Sequence, residues 1–135
     1  MIKLAHRLGY AGLIPFVGLA FQFEDAASVT AFMSYSAVIL SFLGGIHWGI
    51  AMRDSSFASD ARLAICMLPS LFAWLALLLP IDLGLWVGLA AFLVWWAWDR
   101  TQIEDVDYRR LRTHLTVVVS LCHIWLITQT SLHLS

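Results

Sequence analysis

What most limits the fold of this chain is the placement of its apolar residues in five blocks, with the charges gathered between them. The blocks cover about 8–23, 31–52, 63–79, 83–98 and 113–132. A helix needs about 20 apolar residues to cross a ~30 Å hydrocarbon core, and each block is near that length. Only 13% of the residues are charged, against about 25% in soluble globular chains. Backbone exposed to lipid must satisfy its own hydrogen bonds within a segment or in a closed barrel, and no block shows the strict alternation of a barrel strand. The sequence therefore predicts an all-α, polytopic membrane protein of five transmembrane helices, with 1–135 as one integral-membrane domain.

The basic residues support the same count. Lys3 and Arg7 precede the first block, Arg53 and Arg62 flank the second loop, and Arg100, Arg109, Arg110 and Arg112 fill the fourth. Five crossings put all of them on one side. The other side holds Glu24, Asp25, Asp82 and the tail 132–135. The positive-inside rule then predicts a cytoplasmic N-terminus and an outside C-terminus. Lys3 and Arg7 before an apolar run resemble the start of a signal peptide. Gly9, Tyr10, Gly12 and Pro15 interrupt that run, however, and no small-x-small cleavage site follows, so an uncleaved first helix is expected. With no Arg- and Ser-rich transit peptide either, a bacterial inner membrane is the expected location. A net charge of −1 suggests no nucleic-acid partner.

Local signals refine the helices. Pro15 and Pro69 lie inside blocks and should bend them. Ser28 or Thr30 can cap the second helix, Ser59 or Asp60 the third, and Asp107 the last. Pro80 begins a tight link, which predicts an antiparallel hairpin of the third and fourth helices. Thr101 and Glu104 have capping-box spacing, so a short interfacial helix is expected in the longest loop. Ala37, Ser41, Gly45 and Gly49 recur every four residues and predict a small-residue strip for close helix packing, with Gly84 and Gly88 a second such pair. Cys66 and Cys122 read as buried thiols, since neither has metal-site spacing.

Candidate chemistry is concentrated near the basic end. His47 is an ionisable group within an apolar segment, by default a functional candidate. Asp99 closes the fourth helix, where the dipole disfavours a carboxylate, so Arg100, Arg109, Arg112 and His114 are its expected compensating partners. An Asp–Arg cluster under Trp95 and Trp98, with His47 and Trp48 above it, would make a polar pocket at the inner leaflet. The plainer alternative is a solvated rim of topology-setting arginines. Thr113, Thr116, Ser120, His123 and Thr130 share a face of the last helix, where helix-to-helix hydrogen bonding competes with a ligand site. His47 and His123 lean toward one another, and facing imidazoles would suit haem or a metal. No third ligand or haem-attachment motif accompanies them, so no metal site is assigned.

The run Leu8-Gly9-Tyr10-Ala11-Gly12-Leu13-Ile14-Pro15-Phe16, Tyr35, the core Ser41-Phe42-Leu43-Gly44-Gly45-Ile46-His47-Trp48-Gly49, Trp98-Asp99 and the stretch 108–112 together resemble one family. It is a domain-of-unknown-function family of small proteobacterial membrane proteins that includes animal transmembrane protein 69. The resemblance implies an inner-membrane protein of about five helices and brings no reaction, cofactor or catalytic residue. Two functions are expected from the residues. One is a non-enzymatic accessory or assembly factor that binds a membrane-protein partner or a second copy. The other is a quinone-, lipid- or haem-binding protein with a redox or proton-transfer role through His47, Asp99 and His123.

Overall fold

The computed structural model describes residues 2–56 and 59–134, with side chains described for 3–56 and 59–132. All regular structure among them is helical: α1 (Ile2–Ala11), α2 (Leu13–Ala20), α3 (Ala26–Arg53), α4 (Asp60–Ile65), α5 (Leu68–Leu78), α6 (Ile81–Gln102) and α7 (Val106–Leu134). These seven helices run as five rods because two of the rods are broken by proline. A proline has no N–H for the carbonyl four residues earlier. That carbonyl belongs to Ala11 for Pro15 and to Ile65 for Pro69, and these two residues end α1 and α4. The bends expected at both prolines are therefore present, each one turn before the ring. The breaks are shallow. Gly12 keeps a helical conformation and donates its N–H to Leu8 O at 3.0 Å.

Four stretches are long and apolar enough to cross a membrane: Ala26–Arg53, Asp60–Leu78, Ile81–Gln102 and Val106–Leu132. The first rod is as long as Asp60–Leu78 but is not among them, because Lys3, His6 and Arg7 make its first half too polar. Several predicted boundaries shift. Asp25, not Ser28 or Thr30, caps α3, accepting from the Ala27 N–H at 3.1 Å. Ser59 caps α4, accepting from the Arg62 N–H at 3.1 Å. Asp105 rather than Asp107 caps the last helix, accepting from the Tyr108 N–H at 3.0 Å. The interfacial helix expected near Thr101 is absent, since α6 continues to Gln102 and α7 starts at Val106. Helices α6 and α7 are thus longer at this end than their apolar blocks, which draws Asp99 and Arg112 into regular helix.

Around the bundle, α2 packs between α3 and α7, α5 between α3 and α6, and α6 also packs on α3 and α7. Phe16, Phe32, Leu40, Leu85, Phe92 and Leu126 fill the centre. Outward-facing positions are apolar too, including Ile14, Phe21, Val38 and Val94. Polar side chains turn inward instead: Ser36, His47, Asp99, Arg112, Thr116, Ser120 and His123 are all buried. That distribution suits a hydrocarbon solvent, where polar groups seek the bundle interior.

Glycines set the closest approaches, but not all of those expected. A Cβ on Gly84 would lie 2.5 Å from Ala76 O, so α5 and α6 pack backbone to backbone at their hairpin. A Cβ on Gly44 would overlap Cys66 O, which presses α3 against the α4–α5 break. Gly45 and Gly49 face outward and meet nothing within 4 Å, while Ala37 and Ser41 are only half-buried. Within the chain, the packing strip of α3 therefore lies one residue from the strip Ala37, Ser41, Gly45 and Gly49, along Ser36, Leu40, Gly44 and His47. Both strips step by three or four residues through a glycine, and spacing alone did not choose between them.

Candidate functional site

The site centres on Asp99, in the last turn of α6 and only 1% exposed. A carboxylate there opposes the helix dipole and is costly away from water. Three donors offset this. His47 Nε2 on α3 lies 2.5 Å from Oδ1 and, facing a group that can only accept, must carry the proton. Tyr108 on α7 donates its hydroxyl to the same oxygen at 3.1 Å. Arg112, one turn further along α7, donates Nε–H to Oδ2 at 3.1 Å. Arg112 is itself 4% exposed, so the pair is a buried ion pair rather than part of a solvated rim.

Helical spacing brings these groups together. Tyr108, Arg112 and Thr116 are four apart and share a face of α7. Trp95 and Asp99 are related in the same way on α6, and the Trp95 ring meets His47 edge-on at 4.9 Å between centroids. Gly44, three residues before His47, holds that turn of α3 close in. The guanidinium of Arg112 is only partly used. Its Nη1 donates to Thr116 Oγ1 at 3.3 Å, while Nη2 is buried without a hydrogen-bond partner.

Arg112 also forms part of the wall of a cavity of about 470 Å³ between α1, α2, α3 and α7. Tyr108, Arg112 and Thr116 supply its polar side chains, and the rest of the wall is apolar, including Phe16, Ile39, Phe42 and Phe92. Its size falls in the range of about 300–1,000 Å³ usual for small-molecule sites. A second apolar cavity of about 480 Å³ lies across the bundle, between α4–α5 and α6, lined in part by Trp95 and Trp98.

The other candidates have separate places. His123 is fully buried and does not meet His47. Its Nδ1–H donates to Val119 O at 2.8 Å, and its Nε2 accepts from the Ser36 hydroxyl at 3.1 Å, which uses both ring nitrogens. Gly88 on α6 makes room for that bond, since a Cβ there would stand 3.1 Å from His123 Nε2. The paired imidazoles expected for haem are therefore not brought together. Arg109 caps the end of α6, donating to Ile103 O at 2.9 Å and Arg100 O at 2.6 Å. His114 Nδ1 lies 2.8 Å from the Tyr10 hydroxyl on α1. Arg100 sits 5.0 Å over the Trp96 ring, and Trp48 is exposed. Among the described residues, no group of three or more His, Cys, Asp or Glu is arranged to hold a metal.

With the cluster and its helices in place, comparison with known proteins gives the family. A model for proteins of unknown function, DUF3429, matches residues 1–128. The chain belongs to the DUF3429 family. Similar relatives are transmembrane protein 69 of Xenopus tropicalis, 42% identical over 83 residues, and of Mus musculus, 44% identical over 83 residues. The match covers 56% of this chain and 33% and 34% of those two proteins, so this DUF3429 chain spans about a third of the length of the curated relatives it matches. No solved structure matches. The relatives' names and the four apolar helices agree on a multi-pass membrane protein.

Tyr108, at Arg112 minus four, was not singled out as a site residue in the sequence, a signal hidden by starting the last apolar block at Thr113. Thr116, at Arg112 plus four, was legible only as part of the polar face of the last helix. Ser36 gave no signal, because nothing in its own segment points to a histidine 87 residues away.

Proposed function

We propose that this protein is a membrane-embedded binding protein for an amphiphile, whose polar head meets Arg112 while its tail occupies the cavity between α1, α2, α3 and α7. One observation carries this reading: the buried Nη2 of Arg112 lacks a partner, and Arg112 belongs to the wall of an otherwise apolar cavity. A buried donor left unpaired costs about 1–3 kcal/mol, which a bound acceptor would recover. Trp95, Trp98, Asp99 and His47 act as the support that holds Arg112 in place. His123, Arg109 and His114 serve the bundle, and Trp48 anchors its surface.

The reading takes the chain as one integral-membrane domain of five crossings, α1–α2 being the first, with the N-terminus cytoplasmic in a bacterial inner membrane. Support comes from Lys3, Arg7, Arg53, Arg62 and the four arginines of 100–112, which fall at helix ends on one side of an up-and-down bundle. The test is extraction of the protein into native lipid particles and mass spectrometry of what it retains. The wild type should retain an amphiphile that Ala5→Trp, at the exposed rim of the cavity, releases. Equal retention by the two proteins refutes the reading.

A second reading, an accessory role with a membrane-protein partner or a second copy, draws on the outward-facing Gly45 and Gly49, which none of the described residues covers. Cross-linking from Gly45→Cys in native membranes tests it. Formation of a single defined adduct would support it.

A further inference from the structure

We infer that the head received at Arg112 is the neutral ring carbonyl of a membrane quinone, an inference that rests on the amphiphile-binding reading above. The charge balance of the cluster argues first. Asp99 and Arg112 offset one another as a buried pair with side chains 2% and 4% exposed. An anionic head would add a negative charge with no counter-charge, in surroundings where unpaired charge is most costly. A neutral acceptor adds none.

The donor count argues next. An arginine grips a carboxylate or phosphate best as a fork, with two parallel N–H bonds. Here Nε donates to Asp99 and Nη1 to Thr116, so Nη2 is the one guanidinium nitrogen with no partner at all. One nitrogen suits one oxygen. The wall argues third. Beyond Tyr108, Arg112 and Thr116 the lining is hydrocarbon, with the rings of Phe16, Phe42 and Phe92 among it. A glycerolipid that placed an ester carbonyl at Nη2 would need polar surface for the rest of its head. A quinone needs only a flat apolar slot and an exit for its tail. Leu8 and Phe42, both exposed and both on the wall, border such an exit toward lipid.

The experiment uses the full 135-residue chain in phosphatidylcholine nanodiscs, with dissociation constants from native mass spectrometry. The probes are a decyl-substituted benzoquinone, a dialkyl glycerol ester without a charged head, and decanesulfonate, which is charged at every pH used. The quinone should bind about tenfold or more tightly than either of the others. Ester binding as tight as the quinone's would overturn the inference in favour of a lipid. Sulfonate binding as tight would overturn it in favour of an anion. In both cases the amphiphile reading survives, whereas that reading itself fails if no probe binds. Arg112→Lys keeps a cation for Asp99 but has a single terminal nitrogen in place of the planar fork, so nothing stands where Nη2 stood, and quinone binding should weaken about tenfold. Unchanged affinity refutes the assignment of the head to Nη2. Should that variant fail to fold, Ala5→Trp serves in its place: lost quinone binding supports the site, and retained binding overturns it.

Discussion

Gly84 and Gly45 were both expected to pack, and the structure separates them sharply enough to test by adding one methyl group to each. The Cβ of Gly84→Ala would stand 2.5 Å from Ala76 O and 2.9 Å from Met33 Cε. The methionine can swing aside. The carbonyl oxygen cannot, because it belongs to the α5 backbone, so α5 and α6 must part by about 0.9 Å to restore ordinary contact near 3.4 Å. Overpacking of this kind costs about 1–3 kcal/mol, and a backbone collision belongs at the upper end. Gly45→Ala meets nothing within 4 Å, so it carries no steric cost. Both substitutions gain the same helix propensity, up to about 1 kcal/mol. Their difference therefore isolates the steric cost, and Gly84→Ala should be the less stable by about 2–3 kcal/mol. Unfolding in mixed micelles by titration with dodecyl sulfate, followed by the fluorescence of the seven tryptophans, measures it. Equal midpoints for the two variants would falsify the register of α5 against α6.

Other substitutions test the polar interior by the same assay. Asp99→Asn removes the charge that offsets Arg112 and should cost about 3–5 kcal/mol, whereas Asp99→Leu combined with Arg112→Met should cost less than either change alone. A double variant less stable than both singles would refute the description of the two as one buried pair. Ser36→Ala leaves Nε2 of His123 without its donor and should cost about 1–3 kcal/mol. No loss would mean that the bond across Gly88 does not form in the membrane. Ser120 Oγ is buried with no partner, so Ser120→Ala should be neutral or stabilising by up to about 1 kcal/mol. A marked loss there would reveal a hidden acceptor.

How much of this was legible from sequence depended on whether a signal lay within one segment or between two. The apolar blocks, the prolines and the hairpin at Pro80 are local signals. The structure carries the helix breaks and the hairpin, and four of the five blocks as helices long and apolar enough to cross a membrane. Asp99 was legible for a related reason. A carboxylate at the C-terminal end of a helix is a local electrostatic conflict, and a conflict announces that a partner exists. The choice of Arg112 over Arg100, Arg109 and His114 was not local. It depends on how α7 docks on α6, which turns Arg112 toward Asp99, while Arg109 caps α6 and His114 meets Tyr10 on α1. The glycines failed for the opposite reason. Gly44 and Gly45 are neighbours with equal propensity, and only the position of the Cys66 carbonyl on another rod distinguishes them.

The two buried histidines show why burial alone does not mark a functional residue. His123 and His47 are both almost wholly enclosed, and each bonds a side chain on another helix. At His123 the accounting closes: one ring nitrogen donates to a carbonyl, the other accepts from a hydroxyl, and no charge is involved. Such a group fixes the register of α3 against α7 and asks nothing of a ligand. At His47 the partner is a carboxylate, which requires a guanidinium, and that guanidinium retains an unused donor on a group that borders a cavity. A hydrophobic replacement of a buried ion pair is often as stable or more so, so stability alone gives little reason to keep this arrangement. If the cluster served only the fold, the Asp99→Leu, Arg112→Met double variant would match the wild type in stability and in the amphiphile it retains. If it serves binding, the same variant would keep the fold and lose the amphiphile. One purified protein, measured by unfolding and by extraction, separates these outcomes.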